Sequence, residues 1–242
     1  MRRLRTVTPV LPAESGTDHG LAYTVWMAPG EMPALGGVLV LHGAGSCKEN
    51  HHDFARAAIV LGLAAIVFDQ RGHGQSERPM DGRTLDDVAA MASLLRDRIG
   101  ASGAPLALRG SSMGGYLAIL AAAEVDAQAV VAICPASTEG LRRGLAANTL
   151  DLEADRDGLD ALLATHDLGQ AVAELRVPLL LLHAEGDEQV PIEHSRELAS
   201  RMRAPGSRLI AIPGGHHRSI QHDEELQAVS LRFIVRALDA GE

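Results

Sequence analysis

Residues 110 to 114 read Gly-Ser-Ser-Met-Gly, after the apolar stretch Pro105–Leu108 and before Tyr116–Ala123. Gly110 and Gly114 stand two positions either side of Ser112. That is the G-x-S-x-G spacing of a serine held on a tight strand-to-helix turn. Ser111 has Arg109 and Met113 at the same offsets, so the pattern selects Ser112. A serine hydroxyl becomes a nucleophile when a base takes its proton, and the base needs an acid to orient it. In this arrangement the acid and then the base follow the serine in the chain. The run Leu179–Leu182 leads into His183-Ala-Glu-Gly-Asp187, and Leu209–Pro213 leads into Gly214-Gly-His216-His217. Each delivers a polar group just past a strand end, where open α/β sheets bind ligands. The chemistry implied is acyl transfer. Its tetrahedral intermediate needs two backbone donors. The amide of Met113, next after the nucleophile, supplies one. The amide of Ala44, in the glycine-bearing loop Leu41–Ser46, supplies the other.

The elements that must position these groups alternate. Apolar runs predict strands at Leu21–Ala28, Gly37–Leu41, Ala64–Phe68, Leu106–Leu108, Ala127–Ile133, Val177–Leu182 and Arg208–Ile212. Amphipathic patterns predict helices over about 50–61, 85–99, 113–124, 192–202 and 223–238. Thr84 reads as the N-cap of the second helix, with Asp86 and Asp87 in its first turn. Glu14–Gly20 reads as turn-rich. Several strands lack polar alternation, the mark of a parallel sheet covered on both faces. Strand and helix in alternation give the α/β class. Between Cys134-Pro135 and Val177-Pro178 lies a long stretch with no strand pattern. It predicts a small helical cap at about 135–176, since long structureless loops are uncommon. The chain reads as a single domain over 1–242.

Composition bounds the partners. The 242 residues carry a net charge of −9 and are 46% hydrophobic but only 2% aromatic, so the core is aliphatic. Scattered acidity disfavours nucleic acid and anionic lipid surfaces. The basic start, Met-Arg-Arg-Leu-Arg, precedes no apolar run of signal-peptide length. No apolar run is long enough to span a bilayer. Two cysteines, Cys47 and Cys134, make no disulfide framework and fit a reducing compartment. A soluble, cytoplasmic location is expected. Both read as inert buried thiols. Neighbouring His51 and His52 point in different directions on a helix, so they make a poor metal chelate. His183, His194 and His222 read as solvated or hydrogen-bonding groups, and His42 and His73 as holding backbone positions.

His42-Gly-Ala-Gly45, Asp69-Gln-Arg-Gly-His-Gly-Gln-Ser76, Gly110–Gly115, His183–Pro191 and Gly214–Arg218 together resemble the α/β-hydrolase superfamily, in its order and across nearly the whole chain. Within it the chain resembles small carboxylesterases, including cinnamoyl and feruloyl esterases, and serine aminopeptidase-type hydrolases. Arg109 departs from the glycine many peptidases carry before the turn. The resemblance implies Ser112 as nucleophile, Asp187 as acid and His217 as base, with Ala44 and Met113 as the oxyanion hole. It places the base four residues after Pro213, at His217, with the adjacent His216 as rival. It implies no cofactor and no metal. The expected activity is hydrolysis of a small-molecule carboxylic ester through an acyl-enzyme. The alternatives are amide, peptide, thioester or lactone cleavage at the same groups, a cofactor-free haloperoxidase or lyase, and a non-catalytic binding protein.

Overall fold

The computed structural model describes residues 11–27 and 34–239. Its strands are β1 (Glu14–Asp18), β2 (Leu21–Trp26), β3 (Gly36–Leu41), β4 (Leu63–Phe68), β5 (Leu106–Ser111), β6 (Ala127–Ile133), β7 (Leu179–Ala184) and β8 (Arg208–Ile212). Its helices are α1 (His52–Val60), α2 (Thr84–Ile99), α3 (Met113–Ala121), α4 (Thr138–Ala147), α5 (Arg156–Thr165), α6 (Leu168–Glu174), α7 (Ile192–Arg201) and α8 (Glu224–Asp239). The strands form one sheet in the order β1-β2-β4-β3-β5-β6-β7-β8. The β1–β2 and β2–β4 pairings are antiparallel, and the others are parallel.

Side chains alternate across a strand, so an unbroken apolar run feeds two cores. Leu39 and Leu41 of β3 pack on one face with α2 and α3, while Val38 and Val40 pack on the other with α1 and α8. Leu179 and Leu181 of β7 divide from Leu180 and Leu182 in the same way. Each such side chain contributes roughly 1.5–3 kcal/mol when fully buried. With helices on both faces, the long crossovers between parallel strands bring the strand ends into register beside one another. The strandless stretch between β6 and β7 holds the three helices α4, α5 and α6.

Several boundaries differ from the sequence reading. Glu14–Asp18 is a strand, not a turn: it is the sheet edge, its side chains are mostly exposed, and it pairs with β2 through a two-residue hairpin. Thr84 is the first helical residue and makes no side-chain cap. The start of α2 is instead anchored by Asp87, whose two carboxylate oxygens accept from Arg71 Nε and Nη2, each at 2.6 Å. Lys48–His51 forms a 3₁₀ turn ahead of α1. β7 begins two residues later than Val177 because Pro178 has no N–H for the ladder, and it runs on through His183. The predicted end of the first strand at Ala28, like the basic N-terminal residues, lies outside the described residues.

Candidate active site

The turn at Ser112 is built by close backbone packing. A Cβ on Gly110 would lie 2.0 Å from the Gly114 carbonyl oxygen, and one on Gly114 would lie 2.2 Å from that of Leu41. No side chain fits at either position. Ser112 adopts φ 52° and ψ −118°, a region that costs a non-glycine residue of order 1–3 kcal/mol. Its surroundings enforce it. The Ser112 amide donates to Ile133 O at 2.8 Å, and its carbonyl accepts from Tyr116 at 3.1 Å and Ala136 at 3.0 Å. Ser111 ends β5 with a buried hydroxyl. Met113 opens α3, so its N–H is among those a helix leaves without an internal acceptor.

Asp187 lies in the loop after β7, and its carboxylate is fully buried. Oδ1 accepts from the amides of Gln189 and Val190, each at 2.9 Å, and Oδ2 accepts from Nδ1 of His217 at 2.7 Å. Burial alone would raise this carboxyl. The hydrogen bonds from His183, His217 and the two amides outweigh it and hold Asp187 well below the usual carboxylate range. The aspartate is therefore ionised at neutral pH. His217 is buried, whereas its neighbour His216 is exposed and its amide donates to Ser219 Oγ. Of the two adjacent histidines, then, the structure brings His217 to the aspartate.

Ser112, His217 and Ala44 line one cleft of about 370 Å³, together with Leu141, Leu150 and Asp151. A larger hollow of about 790 Å³ between α4 and α5, lined by Arg142, Arg156 and Asp160, holds none of the predicted site residues. Size alone does not locate the chemistry here.

His183 carries more than its sequence context suggested. Its ring is fully buried. Nε2 lies 2.9 Å from the Val190 carbonyl and 3.4 Å from Asp187 Oδ2, and Nδ1 lies 2.7 Å from Ser195 Oγ. A carbonyl can only accept, so Nε2 carries the proton. Ligand atoms of Cys134, His183 and Asp187 fall within 4.8 Å of one another. They do not suit a metal. Nε2 is spent as a donor, the aspartate is saturated by donors, and burial pushes the Cys134 thiol up, away from the thiolate a metal needs. Both cysteines are unpaired, and Cys47 is half-buried rather than fully so. Nothing in the spacing of His183 marked it, because its partner Ser195 is twelve residues away on the next helix.

A mostly parallel sheet flanked by helices, with a strained serine at one strand end and a histidine–aspartate pair at two others, defines an α/β hydrolase. The chain belongs to the family described as serine aminopeptidase, S33, whose model matches residues 33–152 and 156–225. It is 27% identical to a monoacylglycerol lipase from Mycolicibacterium smegmatis, covering 85% of this chain and 88% of that one. It is also 27% identical to the Escherichia coli O157:H7 protein YfhR, covering 85% and 72%. Among solved structures it resembles Est1E from Butyrivibrio proteoclasticus with ferulic acid bound, at a TM-score of 0.72 and 21% identity, covering 94% and 98%. That likeness carries the fold.

Proposed function

We propose that this protein is a serine esterase that cleaves small carboxylic esters through an acyl-enzyme. The observation that carries the reading is the 2.7 Å contact between His217 Nδ1 and Asp187 Oδ2 at the wall of the cleft that Ser112 faces. Ser112 Oγ attacks the ester carbonyl. His217 takes its proton through Nε2 and returns it to the leaving alcohol. Asp187 fixes the histidine tautomer and stabilises the imidazolium. The amides of Ala44 and Met113 hold the oxyanion, and water then releases the acid. Helices α4, α5 and α6 act as a cap, with Leu141 on α4 and Leu150 and Asp151 just beyond it forming one wall of the cleft. The lipase and esterase names of the relatives support an ester substrate. The two unpaired thiols support a reducing, cytoplasmic setting, and no helix among the described residues is long and apolar enough to cross a membrane.

The family's description favours a second reading, amide or peptide cleavage by the same groups. A panel of p-nitrophenyl esters beside aminoacyl p-nitroanilides separates the two, with Ser112→Ala as control. Ester turnover lost in that variant supports the proposal. Turnover of the anilides alone, or full esterase activity in Ser112→Ala, rejects it.

A further inference from the structure

Arg109 sits on β5, three residues before Ser112, and its side chain is buried. Its guanidinium lies 4.0 Å over the ring of Phe54. Nη2 donates to the carbonyl of Gln221 at 2.8 Å, while Nε and Nη1 meet no acceptor among the described residues. No carboxylate among those residues pairs with it. Asp53, the one that acts on it from a distance, is already engaged by Gln227 Nε2 at 2.7 Å and by His222 Nδ1 at 3.2 Å. Burial accordingly lowers even this guanidinium, to about 10.

A buried charge with no opposite charge is a poor stabilising device, since apolar replacements of similar volume are often neutral or better. The position of its one strong contact says more. Gln221 lies four residues after His217, in the 3₁₀ turn Ile220–His222, and lines the cleft with His222. Its carbonyl accepts a second, longer bond from Gln227 Nε2 at 3.3 Å. One side chain thus ties the strand that leads into Ser112 to the turn that follows His217.

We propose that Arg109 is a positioning residue that fixes the turn after His217, and through it the imidazole, relative to Ser112. This rests on the roles proposed for Ser112 and His217, so the test includes a readout that needs no catalysis. Arg109→Met and Arg109→Lys are made in the full chain. Amide hydrogen exchange over residues 214–223, melting temperature, and kcat and KM for p-nitrophenyl butyrate are measured for each. In Arg109→Met the melting temperature holds or rises, exchange across 217–222 accelerates about tenfold, and kcat falls about tenfold with KM within twofold. Arg109→Lys, which keeps a cation but loses the planar fork, shows the same changes in milder form.

Unchanged exchange in Arg109→Met overturns the proposal. So does faster exchange with kcat unchanged, which would leave Arg109 a structural anchor only. If Arg109→Met does not fold, Arg109→Lys decides: behaviour identical to wild type overturns the proposal. Absence of ester turnover in the wild type would reject the proposed esterase function instead, and the exchange data would still decide whether Arg109 holds the turn.

Discussion

The imidazole of His42 reaches forward by one residue: Nδ1 lies 2.8 Å from the carbonyl oxygen of Gly43. On its other side Nε2 accepts the amide of Gln70 at 3.0 Å. A carbonyl only accepts and an amide only donates, so the ring is the neutral Nδ1–H tautomer. In a trans peptide the C=O and N–H point in opposite directions. Fixing the Gly43 carbonyl toward His42 therefore aims the Ala44 amide, the proposed oxyanion donor, away from it. His42→Ala is expected to lower kcat by about 10- to 100-fold with little change in KM, as a misaimed donor loses part of the 10²–10³ a removed one costs. Steady-state kinetics on p-nitrophenyl butyrate check it. A kcat within twofold of wild type would separate His42 from the oxyanion hole.

The same burial makes His42 acid-sensitive. Burial, with His73 beside it, lowers its pKa to about 4, and burial with Arg109 nearby holds His51 well below its ordinary value. Unfolded histidine titrates near 6.5. Between those limits the unfolded chain binds more protons than the folded one, so stability rises with pH across the window. It is lost as pH falls from about 6.5 toward about 4. His51→Gln removes one such group. Unfolding free energies from urea titrations between pH 7.5 and 5.0 should therefore fall less in that variant than in wild type, by up to about 2 kcal/mol. Parallel pH profiles for the two proteins would rule this account out.

The placement of Ser112, Asp187 and His217 was legible in the sequence because each follows an apolar strand, and a strand end is a place the one-dimensional pattern can mark. The parallel sheet was legible for the same reason. Short range also explains the failures. Glu14–Asp18 pairs at the sheet edge, where one row of side chains faces water and no apolar pattern is required. Asp87 reads as a first-turn acid, yet its partner Arg71 lies on a loop sixteen residues earlier. The contacts of His42 with Gln70 and of Arg109 with Gln221 span 28 and 112 residues. No spacing rule announces them, because only the folded sheet makes them neighbours.

Gly114 tests how tightly the turn at Ser112 is packed. A Cβ there would meet the carbonyl oxygens of Leu41 at 2.2 Å and His42 at 2.5 Å, both backbone atoms that cannot swing aside. Gly114→Ala is expected to cost about 3 kcal/mol and to abolish turnover, since relief of the clash displaces either the oxyanion loop or the serine. Gly103, where a Cβ would meet nothing within 4 Å, is the control. Gly103→Ala should be neutral or gain up to about 1 kcal/mol. Chemical denaturation and ester kinetics compare the pair. Comparable stability in the two variants would mean the turn is looser than its contacts imply.

Leu141 and Leu150 face two spaces at once. They line the cleft that holds Ser112, and they also line a small apolar void of about 10 Å³ with Met80, Met113, Tyr116 and Leu159. The void also touches Met113, whose amide is the proposed oxyanion donor. At about 10 Å³ it has room for about one water and for no acyl chain, and Leu141 and Leu150 stand between it and the cleft. Leu150→Ala removes three carbons from that partition. Each methylene that then enters the void gains about 0.8 kcal/mol, close to fourfold in binding. The ratio of kcat/KM for p-nitrophenyl octanoate to that for the acetate is therefore expected to rise about tenfold or more. The half-buried site limits the stability loss to roughly 1–2 kcal/mol. A folded Leu150→Ala protein whose acyl-length profile matches wild type would exclude the void as the acyl path and point instead along the polar side of the cleft, toward Asp151 and Arg218.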